Sequence, residues 1–138
     1  MFSHTSHIRV LYGHVDKMDF VYYGRYFEYF EHSRNELLRA LDLPYTKIEE
    51  KQIRLPVIEA HANYRSAARF DDLINIKATV AEMPRARIRI EYEITNEAQE
   101  LLITGHTVHS FLNSRGKPTR VPDVLKQKLL PHFEESNG

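Results

Sequence analysis

The stretch HVDKMDFVYYGRYFEYF, residues 14–30, sets two aspartates, Asp16 and Asp19, just ahead of a run crowded with tyrosine and phenylalanine. A carboxylate beside so much apolar surface loses water and gains little in return. It is either a turn and cap residue or a reactive group held in an apolar cleft, and the residues alone leave both readings open. The aromatic run beyond the aspartates decides the architecture. Tyr23, Tyr26, Phe27, Phe30, Arg34, Leu37, Leu38 and Leu41 recur at three- and four-residue spacing, which predicts one helix from about Tyr23 to Leu41 with an aromatic inner face. On that helix Glu31 and Arg34 stand three apart and are expected to form a structural ion pair.

Outward from this helix the period changes. Before it, Ile8, Val10 and Tyr12 alternate, predicting a short strand over His7–Tyr12, and Gly13–Asp19 reads as a loop. After it, Pro44 suits the first turn of a shorter helix through about Lys51. Ile58, Ala60, Ala62 and Tyr64 then fall on one face of a strand, as do Ile74, Ile76, Ala78 and Val80 of the next, and both read as half-buried. The cleanest alternation is RIRIEYEIT, with Ile88, Ile90, Tyr92 and Ile94 facing in. NEAQE turns the chain into a long strand from Leu101 to Leu112, the polar turn NSRGKP closes the sheet, and VPDVLKQKLLPHF gives a last amphipathic helix with Pro122 near its start. Strands joined by short turns imply an antiparallel sheet, and a long helix burying its aromatic face on that sheet makes an α+β domain.

The bulk properties bound the function. At 138 residues, 42% hydrophobic and 28% charged, the chain fits one domain over 1–138, with the tail from Glu134 expected to fray. Nineteen basic residues balance nineteen acidic ones, so no global field collects nucleic acid or an anionic membrane. With no cysteine there is no thiol nucleophile, disulfide or thiolate metal site, and the eight histidines form no metal-binding motif, so no metal is expected. The N-terminus lacks the apolar run of a signal peptide and no segment approaches a bilayer span, so the expectation is a cytoplasmic protein with no membrane insertion.

Three motifs in order resemble the hotdog-fold thioesterases, in particular the branch of 4-hydroxybenzoyl-CoA thioesterase and the bacterial YbgC-like acyl-CoA thioesterases. They are Tyr12, Asp16 and Val21-Tyr22 leading into FEYFEHSR; NYRSAARFDD; and TGHTVHSFLNSRGKPTRVP. The likeness runs from Ile8 to about Phe133. Relatives often carry Asp-Thr-Asp where this chain has His14-Val15-Asp16, Gly at Asp19, His at Tyr23, Asn at Arg25 and Pro at Ala67.

The resemblance implies a curved antiparallel sheet wrapped around a long central helix. It also implies hydrolysis of a short-chain or aromatic acyl-CoA to free acid and CoA, with the thioester as substrate and no further cofactor. Asp16 would be base or nucleophile, and the backbone N–H of Tyr23, at the positive end of the helix, would polarise the thioester carbonyl. Gly24, Tyr22 and Tyr26 are the implied acyl contacts. Arg85, Arg87, Lys117 and Arg120 are the implied partners of the CoA phosphates, through charge-assisted hydrogen bonds. Glu31 is the alternative carboxylate, since another branch of the superfamily takes its acid from the helix. A homodimer or homotetramer, with the site at a subunit boundary, is implied by the same likeness. The competing class is a non-catalytic hotdog module that binds acyl-CoA or merely assembles.

Overall fold

The computed structural model describes residues 1–134. The chain begins with strand β1 (Phe2–Arg9), passes a 3-10 turn at Tyr12–His14, and enters the long helix α1 (Arg25–Ala40) and the short helix α2 (Tyr45–Glu50). Strands β2 (Val57–Tyr64), β3 (Leu73–Val80), β4 (Arg87–Thr95) and β5 (Leu101–Leu112) come next, then the two-residue β6 (Pro118–Thr119) and helix α3 (Asp123–Glu134). All pairings are antiparallel, in the order β1-β3-β4-β5-β2, with β6 added to β5. This is the expected α+β arrangement.

The core forms where two periodicities meet. Every second residue of β3 and β4 (Ile74, Ile76, Ala78, Val80; Ile88, Ile90, Tyr92, Ile94) is buried, against Tyr26, Phe30 and Leu37 from the inner face of α1. At its centre Phe30 and Tyr92 stack with ring centroids 4.3 Å apart and planes 7° from parallel. Gly105 pairs with Tyr92 in register and makes room for this stack. A Cβ there would lie 2.7 Å from Phe30 Cζ and would also collide with the His61 carbonyl oxygen.

Four expectations change. The first strand runs over Phe2–Arg9, not His7–Tyr12, because its register with β3 reaches back to Phe2–Val80, and Ser3 Oγ meets Thr79 Oγ1 at 2.8 Å. An edge strand held by backbone pairing and polar side chains gives little hydrophobic alternation to read. Tyr12 opens the 3-10 turn instead and is 77% exposed, its ring set edge-on to Phe70. The long helix begins at Arg25, since Tyr23 and Gly24 form a turn ahead of it.

β2 is exposed along most of its length rather than half-buried. It is an edge strand, and neither its outer edge nor most of its inner face is covered by the chain itself. Glu31 and Arg34 make no ion pair with each other; the ion pairs on α1 are instead Arg25–Glu28 and Glu36–Arg39, both exposed. The tail 135–138, expected to fray, lies outside the described residues. No helix among the described residues is long and apolar enough to cross a membrane.

Candidate active site

Residues 14–22 form a small hairpin that leads into the turn ahead of α1 and sets Asp16 opposite Phe20, next to its tip. Val15 bridges Val21, Tyr22 N–H donates to His14 O at 3.0 Å, and Asp16 N–H donates to Phe20 O at 2.9 Å. The turn closes through Asp19 N–H to Asp16 O at 3.0 Å, with Asp19 at φ 67°. That left-handed conformation favours glycine, and aspartate tolerates it better than most side chains do. A second bridge, Phe20 to Arg69, and Val21 N–H to Ala68 O at 3.0 Å tie the hairpin to the segment leading into β3.

Asp16 is half-buried. Its Oδ1 accepts the Met18 N–H at 2.8 Å, an Asx turn, while the other carboxylate oxygen has no hydrogen-bond partner among the described residues. His14 does not pair with Asp16. Its Nδ1 accepts the Leu11 N–H at 3.3 Å, and since a backbone amide can only donate, the Tyr29 hydroxyl at 2.9 Å must donate to the same nitrogen. Burial pushes the Tyr29 phenol up from its ordinary range, which keeps it a donor.

The N–H groups of Tyr23 and Gly24 find no acceptor among the described residues, whereas the next two amides are satisfied by Arg25 N–H to Tyr22 O and Tyr26 N–H to Tyr23 O. Unpaired donors at the positive end of a sixteen-residue helix suit a developing oxyanion. Around them stand exposed rings: Tyr22 against Tyr23 at 4.6 Å, and Tyr64 edge-on to Tyr23 at 6.3 Å with its hydroxyl donating to Tyr23 O at 3.2 Å. Sequence reasoning misses Tyr64 as a member of this corner, although the motif NYRSAARFDD and the inward face of its strand both point to it. Tyr26 is buried, and its hydroxyl accepts the Ala68 N–H at 3.0 Å, so within one chain it braces the corner from below. Gly24 lies under the Tyr22 ring, which a Cβ would approach to 3.0 Å.

The four cationic candidates occupy the other end of the sheet. Asp16 belongs to the end where β1 stops and β3 begins; Arg85 and Arg87 stand at the start of β4, and Lys117 and Arg120 come after β5. Arg85 and Arg120 come together in one surface cleft with Lys126, helped by the Val121 N–H bound to Arg85 O at 2.6 Å. Arg87 faces a different cleft with Arg89, and Lys117 sits on the Asn113 turn. The length of β4 separates these groups from Asp16 by roughly 25 Å or more within one chain.

Comparison with known proteins bears on this corner. The profile of the Thioesterase-like superfamily matches residues 10–129. The acyl-CoA thioesterase YbgC of Haemophilus influenzae is 32% identical over 122 residues, covering 86% of this chain and 88% of that protein. Among solved structures, DHNA-CoA thioesterase from Staphylococcus aureus is 28% identical with a TM-score of 0.89, covering 100% of this chain and 96% of that one. A 4-hydroxybenzoyl-CoA thioesterase mutant complexed with 4-hydroxybenzoyl-CoA, 17% identical, covers 93% and 99% at a TM-score of 0.83, a likeness of fold. The fold is the hotdog fold of these thioesterases.

Proposed function

Because the chain belongs to the Thioesterase-like superfamily, we propose that it hydrolyses the thioester of a short-chain or aromatic acyl-CoA, with Asp16 as the reacting carboxylate and the Tyr23 N–H as oxyanion donor. The observation that carries this reading is a hairpin whose Asp16 has one carboxylate oxygen without a partner among the described residues, and which runs directly into two backbone donors, the N–H groups of Tyr23 and Gly24, without acceptors among them. In the base route Asp16 takes a proton from water as its oxygen attacks the carbonyl carbon. The carbonyl oxygen becomes negative against the Tyr23 amide, and collapse expels the CoA sulfur, which receives the proton. In the nucleophile route the same carboxylate attacks the carbonyl carbon and the C–S bond breaks, expelling the CoA thiolate and leaving a mixed anhydride. Water then opens the anhydride to the free acid and the Asp16 carboxylate, and its proton neutralises the thiolate.

The corner is open on the β2 side. Val57, Ile58 and Tyr64 expose 47, 46 and 43% of their surface on an unpaired edge, which is the kind of edge a second copy covers. Antiparallel two-fold pairing along β2 would set the Tyr64 end of one chain beside the Val57 end of the other. Asp16 of one subunit would then approach the Arg85, Arg87, Lys117 and Arg120 end of its partner, which supports a homodimer, or a tetramer of dimers, that binds CoA phosphates across the boundary.

A second reading, a module that binds acyl-CoA without turnover, is favoured by the Asx turn that already employs Asp16. Asp16→Asn separates the two. Asparagine keeps the oxygen that accepts the Met18 N–H, so the turn survives, but it is neither base nor nucleophile. The thioesterase reading expects kcat to fall by roughly two or more orders of magnitude with acyl-CoA binding largely retained. An unchanged rate would remove Asp16 from the chemistry, and if Glu31→Gln then abolished turnover, the helix carboxylate would take its place.

A further inference from the structure

Between α1 and strands β4 and β5 lies a cavity of about 170 Å³, away from the Asp16 corner, floored by Leu38, Leu55, Ile88 and Ile90. The size suits one benzene-sized molecule, since an apolar cavity of about 150 Å³ holds benzene. Its polar side is unusual. Arg34 lines it with no ion pair among the described residues, beside Asn35 and the exposed Glu31, which lines it as well.

Behind Arg34 runs a buried chain of hydrogen bonds whose direction is fixed at one end. The Leu55 carbonyl can only accept, so His109 Nδ1 donates to it at 3.0 Å and its Nε2 must accept from Thr107 Oγ1 at 2.9 Å. Thr107 Oγ1, having spent its proton, accepts from the Tyr92 hydroxyl at 2.7 Å. The Tyr92 oxygen therefore offers a lone pair to the Arg34 guanidinium; burial raises the Tyr92 phenol, and Arg34 offsets part of that rise. Both His109 nitrogens are thus occupied, and the donors left to the cavity are those of Arg34, the Asn35 amide and the Tyr45 hydroxyl, whose oxygen accepts the Leu55 N–H at 3.4 Å.

We propose that this cavity binds a compact monocarboxylate, the free acid released by thioester hydrolysis, with its apolar body on Leu38, Leu55, Ile88 and Ile90 and its carboxylate on Arg34. The idea rests on the thioesterase reading for the source of the ligand. A thioester is neutral at its acyl carbonyl and the acid is an anion, so the Arg34 guanidinium over an apolar floor favours product over substrate, against the opposing charge of Glu31, which also lines the cavity. Arg34 lies nine residues beyond Arg25, the first residue of α1, about 13.5 Å of helical rise, so the cavity and the reacting corner are separate places along the helix.

The test uses benzoate as probe, with neutral benzyl alcohol as control, monitored by NMR on the isotope-labelled full chain. Saturable benzoate shifts at Arg34 and Asn35, with benzyl alcohol weaker, are expected. Arg34→Met should weaken benzoate by about tenfold or more, the loss of a charge-assisted hydrogen bond. Leu55→Phe, which fills the cavity and keeps the charge, should also abolish binding, so a poorly folded Arg34 variant does not leave the matter open. Shifts confined to the Tyr23 and Gly24 amides, equal binding of the alcohol, or no saturable binding would overturn the proposal. Turnover is assayed on the same samples: benzoate bound at Arg34 by a chain that hydrolyses no acyl-CoA would support the cavity while overturning the thioesterase reading.

Discussion

Phe30 and Tyr92 stack at 4.3 Å under the middle of α1 with almost no exposed surface, whereas Tyr22, Tyr23 and Tyr64 crowd its first turn with 48, 61 and 43% exposed. The residue types are the same and the helix is the same. What differs is the strand beneath. β3 and β4 are covered by α1 and flanked by neighbours on both edges, so their inward residues have somewhere to go; β2 has a neighbour on one edge only. Aromatic surface placed under the helix centre stabilises the chain itself, and aromatic surface at the helix start is left for something outside it, a substrate or a second copy.

The largest expected effects test the first half of that contrast. Phe30→Ala removes a buried ring from the stack and should cost about 3–5 kcal/mol, measured by urea unfolding. Tyr64→Ala, at the corner, loses an exposed ring and one hydrogen bond to Tyr23 O, and should cost about 1 kcal/mol or less in the same assay while raising KM for acyl-CoA. Equal destabilisation by the two would mean that the corner, too, is finished within one chain.

Next in size is the edge. Ile58→Lys places a charge on the exposed inner surface of β2, where a single chain would hardly notice it. If two copies join along β2, light scattering should show the particle falling from at least a dimer to a monomer of about the chain's 16.3 kDa, with loss of activity but little change in the unfolding of the monomer. An assembly unaffected by this substitution would move the boundary to another surface and with it the route by which Arg85 and Arg120 could reach a ligand on Asp16.

The same contrast marks how far the sequence could be read. Alternation in RIRIEYEIT gave the burial of β4 residue by residue, because both the period and the covering helix belong to the same chain. The identical logic failed for Ile58, Ala60, Ala62 and Tyr64: period two says that a strand has a face to cover and is silent about what covers it. Asp16 stood out through its motif, and the turn role that it fills with Met18 was one of two readings left open, since a carboxylate that caps a turn and one that reacts look alike in one dimension. The spread of Arg85, Arg87, Lys117 and Arg120 over separate surfaces was likewise hidden, for sequence proximity does not report on which side of a sheet end a loop emerges. The hydrogen-bond chain from Leu55 through His109 to Arg34 joins four separate segments and had no local signal at all.

His109 provides a smaller, pH-dependent test on the core side of the contrast. Burial lowers its pKa below the ordinary 6.5; the Leu55 carbonyl opposes the shift and the nearby Arg34 charge adds to it. The unfolded chain therefore binds this proton more readily, so the associated stability is present above about pH 6.5 and is lost as pH falls through the folded value. Unfolding midpoints should drop on acidification, and His109→Gln should flatten that slope even if it lowers stability throughout. An unaltered slope would show that the acid sensitivity resides in other groups.

The smallest effect is expected at Asp19, and its smallness is informative. Asp19 holds φ 67° at the tip of the hairpin, exposed, three residues from Asp16 and with no side-chain hydrogen bond or ion pair among the described residues. Asparagine accepts this left-handed conformation as readily as aspartate, so Asp19→Asn removes a charge without altering backbone strain. Stability should stay within about 0.5 kcal/mol of the wild type, and most turnover should remain. Side by side with Asp16→Asn, it asks whether the corner needs negative charge in general or one particular carboxylate oxygen. If both variants lose activity alike, the hairpin acts through its overall charge; if only Asp16→Asn does, the reaction depends on the oxygen that the Asx turn leaves without a partner.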